Sequence, residues 1–281
     1  MLTHSEVAAR VIDRLDFDHA QYQSLAEIPC ANIKVSGAGK VLYKGVHRLA
    51  EVSITFKPEA AGSTVYLGTN LAGQVKILVE GPDSVVYIGN RCRLKKCSIA
   101  TREPGGAVFI GNEVTTASNN TWSVGGNAGG TNPALIIGDD CMFAGAITIR
   151  TTDAHPVYDV ATVQQVNAPK AYVLLEPHVW IGQNALILKD VTIGACSIVA
   201  AGSIVTKSAP RFAVLSGVPA QFRDGSSRFW ARNDSPAAVE AAQRWHQKYQ
   251  PSAEAANAGV VTHEPAVPSP ELTPAAGAGQ A

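Results

Sequence analysis

Residues 151–159, TTDAHPVYD, place one histidine between two aspartates. His155 is a candidate for acid–base chemistry, because an unperturbed imidazole has a pKa of about 6.5 and exchanges protons near neutral pH. Asp153 and Asp159 are the local carboxylates that could orient the ring through its second nitrogen. A histidine here can also be purely structural, so its role depends on the elements that hold it.

A six-residue repeat surrounds this histidine. From Leu175 onward the chain divides into LEPHVW, IGQNAL, ILKDVT, IGACSI and VAAGSI, and upstream the same phase gives IGDDCM, FAGAIT and IRTTDA. The first residue of each group is apolar, and the fifth is small or branched at Cβ in nearly every group. The leading residues are Leu67, Ile88, Ile110, Ile137, Phe143, Ile149, Leu175, Ile181, Ile187, Ile193 and Val199.

A period of six fits neither an α-helix nor a simple amphipathic strand. It is typical of a coil with three flat faces, in which each face is a short strand and a turn. Three groups of six make one coil, and successive coils stack at about 4.8 Å. The first residue points into the core, the fifth lies at a corner, and the others face outward. The sequence therefore predicts a mainly β protein, a parallel β-helix of hexapeptide repeats.

The phase of the repeat assigns a direction to several notable side chains. Cys92 and Cys141 occupy the fifth position, where we expect them to act as small hydrophobic residues rather than as metal or redox sites. His178 falls on an outward position, so we expect it at the surface. The basic residues of RCRLKK also point outward, namely Arg91, Arg93, Lys95 and Lys96. They predict a solvated face or, alternatively, a track for an anionic acceptor.

The repeat divides the chain into four parts. We expect a helical and irregular N-terminal segment over 1–30 and the β-helix over 31–210. An exit segment with a short helix follows over 211–250. The alanine- and proline-rich stretch 251–281 is predicted to be disordered.

Local signals predict how the helices begin and where loops leave the coil. Thr3 and Glu6 form a possible capping box, and Ser235 before Pro236 is typical of a helix start. The spacing from Ile110 to Ile137 exceeds one regular coil by half, so we place a glycine-rich loop at 122–133. A second loop is expected at 156–172, where no group of six fits. Long loops on a rigid fold often carry function.

Composition excludes several classes of protein. The 281 residues carry 23 basic and 23 acidic side chains, which argues against a nucleic-acid binder that works by neutralising phosphates. The sequence has no apolar run long enough to span a membrane and no signal-peptide core. Five cysteines without a CxxC pair argue against a disulfide framework and favour the cytoplasm.

The segment HVWIGQNALILKDVTIGACSIVAAGSIVTKSAPRFAVLSGVPAQFR resembles the hexapeptide-repeat acyltransferases, most closely their sugar and polysaccharide O-acetyltransferases. The resemblance covers about residues 135–223 and includes TDAHPVYD followed by HVWIG. It implies a left-handed coil, a homotrimer, and acetyl-CoA bound between neighbouring chains. It also implies that His155 is the catalytic base, and that Trp180 walls the acceptor pocket or guides the pantetheine arm.

The same resemblance implies a binding site for acetyl-CoA, and the shortage of histidines in the repeat region leads us to expect no metal. Gln183 and Ala201 match positions whose backbone contacts the pantetheine, and Thr206 and Lys207 match the VTK motif at the nucleotide end. Lysine suits that place as a point charge for phosphate. Arg223 could add a second charge, although many relatives have their arginine where this chain has Gln221. Another departure is Asp190, where many relatives have glycine.

Three other functions stay open at this stage. The acceptor could be serine or an antibiotic instead of a sugar, although the early helix is short for a serine acetyltransferase. A zinc-dependent carbonic anhydrase on the same coil would need three converging histidines, and the strong repeat region contains only His155 and His178. A structural β-helix without activity is the last alternative. Among sugar acceptors, an anionic polysaccharide, a neutral sugar and a nucleotide-linked sugar all fit.

Overall fold

The computed structural model describes residues 3–45, 49–126, 133–169 and 172–250. The helices are α1 (His4–Val11), a 3₁₀ turn (His19–Gln21) and α2 (Pro236–Tyr249). The first strands are β1 (Gln23–Ser24), β2 (Ile33–Ser36), β3 (Lys40–Tyr43), β4 (Leu49–Phe56), β5 (Thr64–Leu67), β6 (Ala72–Val79), β7 (Val85–Ile88), β8 (Arg93–Thr101), β9 (Ala107–Ile110), β10 (Thr115–Thr116) and β11 (Asn120–Val124). The remaining strands are β12 (Ala134–Ile137), β13 (Met142–Phe143), β14 (Thr148–Arg150), β15 (Val173–Leu175), β16 (Trp180–Ile181), β17 (Leu186–Ile187), β18 (Thr192–Ile193), β19 (Ile198–Val199), β20 (Ile204–Val205), β21 (Ala213–Gly217) and β22 (Ala220–Asp224).

Most of these strands stack in parallel as the three faces of one β-helix, with antiparallel pairs at its ends, β1 with β3 and β21 with β22. The first face consists of β3, β5, β7, β9, β12, β15 and β18. The second face runs through β10, β13, β16, β19 and β21, and the third through β11, β14, β17 and β20. The longer strands β4, β6 and β8 turn the corner between the second and third faces, since β8 pairs with both β10 and β11. The predicted parallel β-helix with short helices at both ends is confirmed.

The leading residues of the repeat form a continuous inner column. Leu67, Ile88, Ile110, Ile137, Leu175 and Ile193 are paired in register from coil to coil, and all are fully buried. Cys92 and Cys141 are buried as predicted, and burial raises the pKa of the Cys92 thiol to about 12. An uninterrupted coil of three groups of six runs from Leu174 to Thr192. Earlier coils are slightly longer, as from Val65 to Val86.

The loop predicted at 122–133 begins too early. Trp122 lies in β11, is completely buried, and packs against Phe143 with ring centroids 4.9 Å apart. The coil from Thr121 to Thr148 is longer than a regular one, and its excess falls after β11 rather than inside it. Residues 127–132 of this loop lie outside the described residues, as does the predicted tail 251–281.

A left-handed backbone conformation turns the corner after the first face. The fourth residue of most groups of six has a φ near +60°, which for residues other than glycine is uncommon. A sharp corner requires this conformation, and the side chain then projects outward. We name these stacked residues the corner column: Arg91, Glu113, Asp140, His178 and Cys196.

The N-terminal segment covers the outside of the first face. The predicted capping box is confirmed, since Thr3 and Glu6 exchange side-chain-to-backbone hydrogen bonds at the start of α1. Val7, Val11 and Ile12 pack on an outer apolar column of the first face. That column contains Leu42, Tyr66, Tyr87, Phe109, Ile136 and Leu174. Burying each large apolar side chain contributes about 1.5–3 kcal/mol, so this cover is a second core.

The C-terminal helix packs against the last coils. The predicted start of α2 is confirmed, because the Ser235 hydroxyl accepts a hydrogen bond from the Ala238 amide and Pro236 occupies the first turn. Trp245 and Tyr249 pack on a small buried cluster of Ala195, Cys196 and Phe212. Neither this helix nor any other in the described ranges is long and apolar enough to cross a membrane.

Candidate active site

An open groove of about 740 Å³ runs along the second face. Trp180 lines it from β16 and lies between Met142 in the preceding coil and Ile198 in the next. Ala117 and Ala144 also line it, and their small side chains leave room above the backbone. The indole therefore stands beside a surface where an extended molecule could lie.

Basic side chains line the N-terminal part of this groove. Arg91, Arg93 and Lys95 are exposed there, which confirms their outward direction. Arg91 forms an ion pair with Glu113, whereas Arg93 and Lys95 have no ion-pair partner within the described ranges. Two cations without an ion-pair partner, in a groove that a tryptophan also lines, favour a ligand that is both anionic and partly apolar.

His155 lies where the chain leaves the third face after β14. Its side chain is exposed, and no described residue hydrogen-bonds to its ring. The backbone carbonyl of His155 accepts a hydrogen bond of 2.9 Å from the side-chain amide (Nδ2) of Asn167. This bond connects the two ends of a hairpin in which Tyr158 bridges to Gln165. The described part of the loop predicted at 156–172 is thus an ordered excursion from the coil.

Neither local aspartate holds the imidazole in this chain. Asp153 pairs with Lys189 and accepts a hydrogen bond of 3.0 Å from Asn167. The hydrogen bond from Lys189 is the main reason that the pKa of Asp153 lies below its usual range, and slight burial opposes it. Asp159 caps its own turn, with the amides of Ala161 and Thr162 at 3.0 and 2.8 Å.

His155 and Trp180 do not share a groove within one chain. Trp180 stands on the second face, whereas His155 follows a strand of the third face and is not among the residues that line the groove. The resemblance implied that both residues belong to one catalytic centre. A single chain presents the two candidates on different sides.

The residues predicted to bind acetyl-CoA are all exposed near the C-terminal coils. Gln183 and Ala201 stack at one corner, where the Gly202 amide donates to the Gln183 carbonyl over 2.8 Å. Thr206 and Lys207 follow directly after β20. Arg223 lies on β22 opposite a residue of β21. The structure brings Gln183 and Ala201 into adjacent coils, as stacked repeats require.

The prediction that His178 lies at the surface is wrong. Its side chain is only 2% exposed. It projects outward from the corner column as the phase requires, but the Trp230 ring stacks on it at 4.0 Å with an interplanar angle of 6°. Nothing in the repeat signals this cover, because Trp230 comes much later in the chain, beyond the last coil.

Asp140 ties His178 to the C-terminal segment. Its carboxylate lies 2.8 Å from His178 Nδ1, and Arg232 Nε donates to it over 2.7 Å. Burial works to raise the pKa of Asp140, but the hydrogen bonds and charges of His178 and Arg232 outweigh it, so the pKa lies below its ordinary value. Arg232 also lines the groove beside Trp180. Trp230 and Arg232 are not among the residues predicted for the site, because both lie beyond the last coil of the repeat.

The part of the chain that the structure describes contains no set of side chains arranged as metal ligands. No group of three or more histidine, cysteine, aspartate or glutamate side chains there converges on a point that could hold a metal ion.

Comparisons with known proteins agree with this architecture. No family model matches the sequence. A polysialic acid O-acetyltransferase of Neisseria meningitidis is 27% identical over 155 residues, which are 48% of this chain and 69% of that protein. A polysialic acid O-acetyltransferase of Escherichia coli O1:K1 is 31% identical over 100 residues, 36% of this chain but only 32% of that protein. The crystal structure of the polySia-specific acetyltransferase NeuO superposes with a TM-score of 0.63 at 22% identity, covering 83% of this chain and 94% of that one.

Proposed function

We propose that this chain, which is an acyltransferase similar to the hexapeptide-repeat O-acetyltransferases, transfers an acetyl group from acetyl-CoA to a sugar hydroxyl of an anionic surface polysaccharide. The observation that carries the acceptor class is the groove of the second face, which Trp180 lines and in which Arg93 and Lys95 have no ion-pair partner among the described residues. Similarity to two proteins named for a polyanionic sugar supports the same choice.

His155 acts as the general base in this proposal. Its imidazole takes the proton of the acceptor hydroxyl while the oxygen attacks the thioester carbonyl. Backbone N–H groups stabilise the oxyanion that forms. The carbon–sulfur bond then breaks, and the CoA thiolate recovers the proton from the imidazolium. The products are the acetyl ester and free CoA. Trp180 walls the site and orients the acceptor or the pantetheine.

We assign the complete site to two neighbouring chains of a homotrimer. Trp180 and His155 lie on different faces of one chain, and the first face is covered by the protein's own N-terminal segment. The second and third faces are therefore the ones available to neighbours. An exposed His155 without a ring partner among the described residues suits a site that a second chain completes.

The donor site in this proposal follows the C-terminal coils. Gln183 and Ala201 contact the pantetheine arm through their backbone, and Lys207 and Arg223 meet the phosphates with Thr206 beside them. All five positions are exposed, which leaves them accessible to a ligand. All five cysteines are free thiols, which supports a reaction in the reducing cytoplasm.

The test compares the wild type with His155→Ala. Release of free CoA from acetyl-CoA is followed with polysialic acid, a neutral polysaccharide and serine as acceptors. The molar mass of both proteins is measured by analytical ultracentrifugation. We expect acceptor-dependent release only with the anionic polymer, and its loss in a mutant that stays trimeric and binds CoA.

His19→Ala is the matched control, since His19 belongs to the N-terminal segment over the first face. It should retain full turnover. Equal activity of His155→Ala and wild type would remove His155 as the base. Release with serine alone would replace the proposed acceptor class, and a monomer with full activity would contradict the two-chain site.

A further inference from the structure

Trp230 approaches Trp180 from the C-terminal segment. The two indole rings lie 6.2 Å apart at an angle of 46°. Along the coil axis, Trp180 is flanked by Met142 and Ile198, which are slimmer side chains. Trp230 is therefore the large aromatic neighbour that limits how the Trp180 ring can rotate.

Trp230 is itself fixed by a reciprocal pair of hydrogen bonds with His178. The Trp230 indole Nε1 donates to the His178 backbone carbonyl over 3.1 Å. The His178 ring nitrogen Nε2 lies 3.2 Å from the Trp230 backbone carbonyl. With the two rings stacked at 4.0 Å, each residue holds both the backbone and the side chain of the other. We call this arrangement the 178–230 clasp.

Each nitrogen of the His178 imidazole faces a hydrogen-bond acceptor. His178 Nδ1 faces the Asp140 carboxylate and Nε2 faces a carbonyl, and both groups only accept hydrogen bonds. The His178 ring is thus held at both nitrogens while it stacks on Trp230.

A second anchor follows two residues after Trp230. The Arg232 guanidinium donates to Asp140 Oδ1, to the Thr115 hydroxyl at 2.6 Å and to the Glu113 carbonyl at 2.9 Å. Thr115 and Asp140 lie in adjacent coils, and Asp140 in turn bonds His178 in the next coil. Residues 230–232 are thereby fixed beside the groove by hydrogen bonds at both ends of the segment.

From this geometry we propose that Trp230 is a positioning residue, which sets the orientation of the Trp180 ring in the groove and is held in place by His178. The proposal rests on the proposed function, in which Trp180 contacts the acceptor or the donor. Trp230 is only 5% exposed, so it acts through Trp180 and does not itself touch a ligand.

The test uses Trp230→Ala, Trp230→Phe and a control, Trp245→Ala. Trp245 stacks on His178 at 6.0 Å as part of α2, so its removal disturbs the same cluster without removing the ring next to Trp180. We expect Trp230→Ala to raise KM for the acceptor or the donor about tenfold at a temperature well below its Tm. Trp230→Phe keeps a ring beside Trp180 and should restore most of the wild-type KM.

Trp245→Ala should lower Tm without moving KM. If Trp230→Ala and Trp245→Ala lower Tm alike and both leave KM and kcat unchanged, Trp230 is structural only and the proposal is overturned. An equal rise of KM in both variants would also overturn it, because the effect would then follow general loosening of the cluster.

A readout independent of activity separates this inference from the proposed function. The protein contains four tryptophans, so fluorotryptophan labelling yields four signals, and Trp180→Phe identifies one of them. The Trp180 signal should move in Trp230→Ala and stay in place in Trp245→Ala. An inactive wild type in which this shift occurs would refute the proposed function but keep the contact, whereas an unmoved signal would refute the positioning role.

Discussion

Lys189 binds Asp153 and the Asn167 carbonyl at the same time, so the carboxylate nearest to His155 in sequence serves the loop and not the imidazole. The ammonium lies 2.6 Å from the Asn167 oxygen and is ion-paired with Asp153. Asn167 in turn donates to Asp153 and to the His155 carbonyl. The backbone of the candidate base is thus fixed by a small polar network while its ring remains open.

Lys189→Met should therefore loosen the hairpin that follows His155. Methionine has a similar length but cannot donate to Asp153 or to the Asn167 carbonyl. We expect hydrogen exchange in the peptide 156–169 to become about tenfold faster, measured by mass spectrometry. Lys57→Met, at an exposed lysine in an early coil, should leave that peptide unchanged. Unaltered exchange in Lys189→Met would show that Lys189 does not hold the loop.

The same network predicts the sign of a pH effect. Hydrogen bonding from Lys189 keeps the pKa of Asp153 below its usual value. A carboxyl with a depressed folded pKa stabilises the fold above the unfolded pKa, about 3.9, and loses this contribution as the pH falls through the folded value. Protection of 156–169 should then be level above about pH 5 and fall in more acid solution. Lys189→Met should not show this fall.

Lys207→Ala should weaken CoA binding with little change of kcat at saturating acetyl-CoA. An exposed ammonium contributes to phosphate binding mainly as a point charge, and we expect Kd to rise about five- to tenfold at low salt. Isothermal calorimetry with free CoA measures this directly. Lys57→Ala is the control for loss of one positive charge. An unchanged Kd for Lys207→Ala would remove this residue from the donor site.

The double variant Arg93→Ala, Lys95→Ala should discriminate between acceptors. We expect KM for an anionic polysaccharide to rise about tenfold at low salt, with a smaller effect at high salt because screening already weakens the contact. KM for acetyl-CoA should stay the same. If KM for the anionic polymer does not change, the groove of the second face is not the acceptor track.

Glu176→Gln should destabilise the junction between the coil and α2. The Glu176 side chain is 1% exposed and bonds Arg211 Nε at 2.7 Å and the Ala195 amide at 2.9 Å. Removing one partner of a buried pair leaves the other charge uncompensated. Because Arg211 is partly exposed, we expect a loss of about 2–3 kcal/mol and a Tm lower by about 5–10 °C. Glu240→Gln, in an exposed pair with Arg244, should change Tm by less than about 2 °C.

The β-helix could be predicted well because its signal is local and repeated. Residues such as Ile137 and Leu175 each report on the same inner column, so an error at one position does not hide the period. Trp122 was misplaced because its coil is longer than a regular one, and the extra length hid the phase that places this side chain inside. The left-handed corner residues were also missed, since arginine, glutamate and histidine at those positions carry no backbone signal.

The site was less predictable because it depends on contacts distant in sequence. The direction of His178 followed from the phase, but its burial depends on Trp230, and a repeat reports nothing about what packs on its outer side. The partner of Asp153 was equally hidden, because Lys189 belongs to a later coil. The positions of Gln183 and Lys207 were available only through resemblance, since backbone contacts to a ligand leave no mark on residue type.

The N-terminal segment that covers the first face is synthesised before the surface on which it packs. α1 and the residues after it bind an outer surface that includes Phe109, Ile136 and Leu174. Asp139 accepts the Asp13 amide over 2.7 Å, so the same segment is also tied to a coil far along the chain. This segment leaves the ribosome before the coils that receive it, and it has no complete binding surface until most of them exist. The segment therefore docks late in folding, and its apolar side chains stay exposed to solvent until most coils of the β-helix have formed.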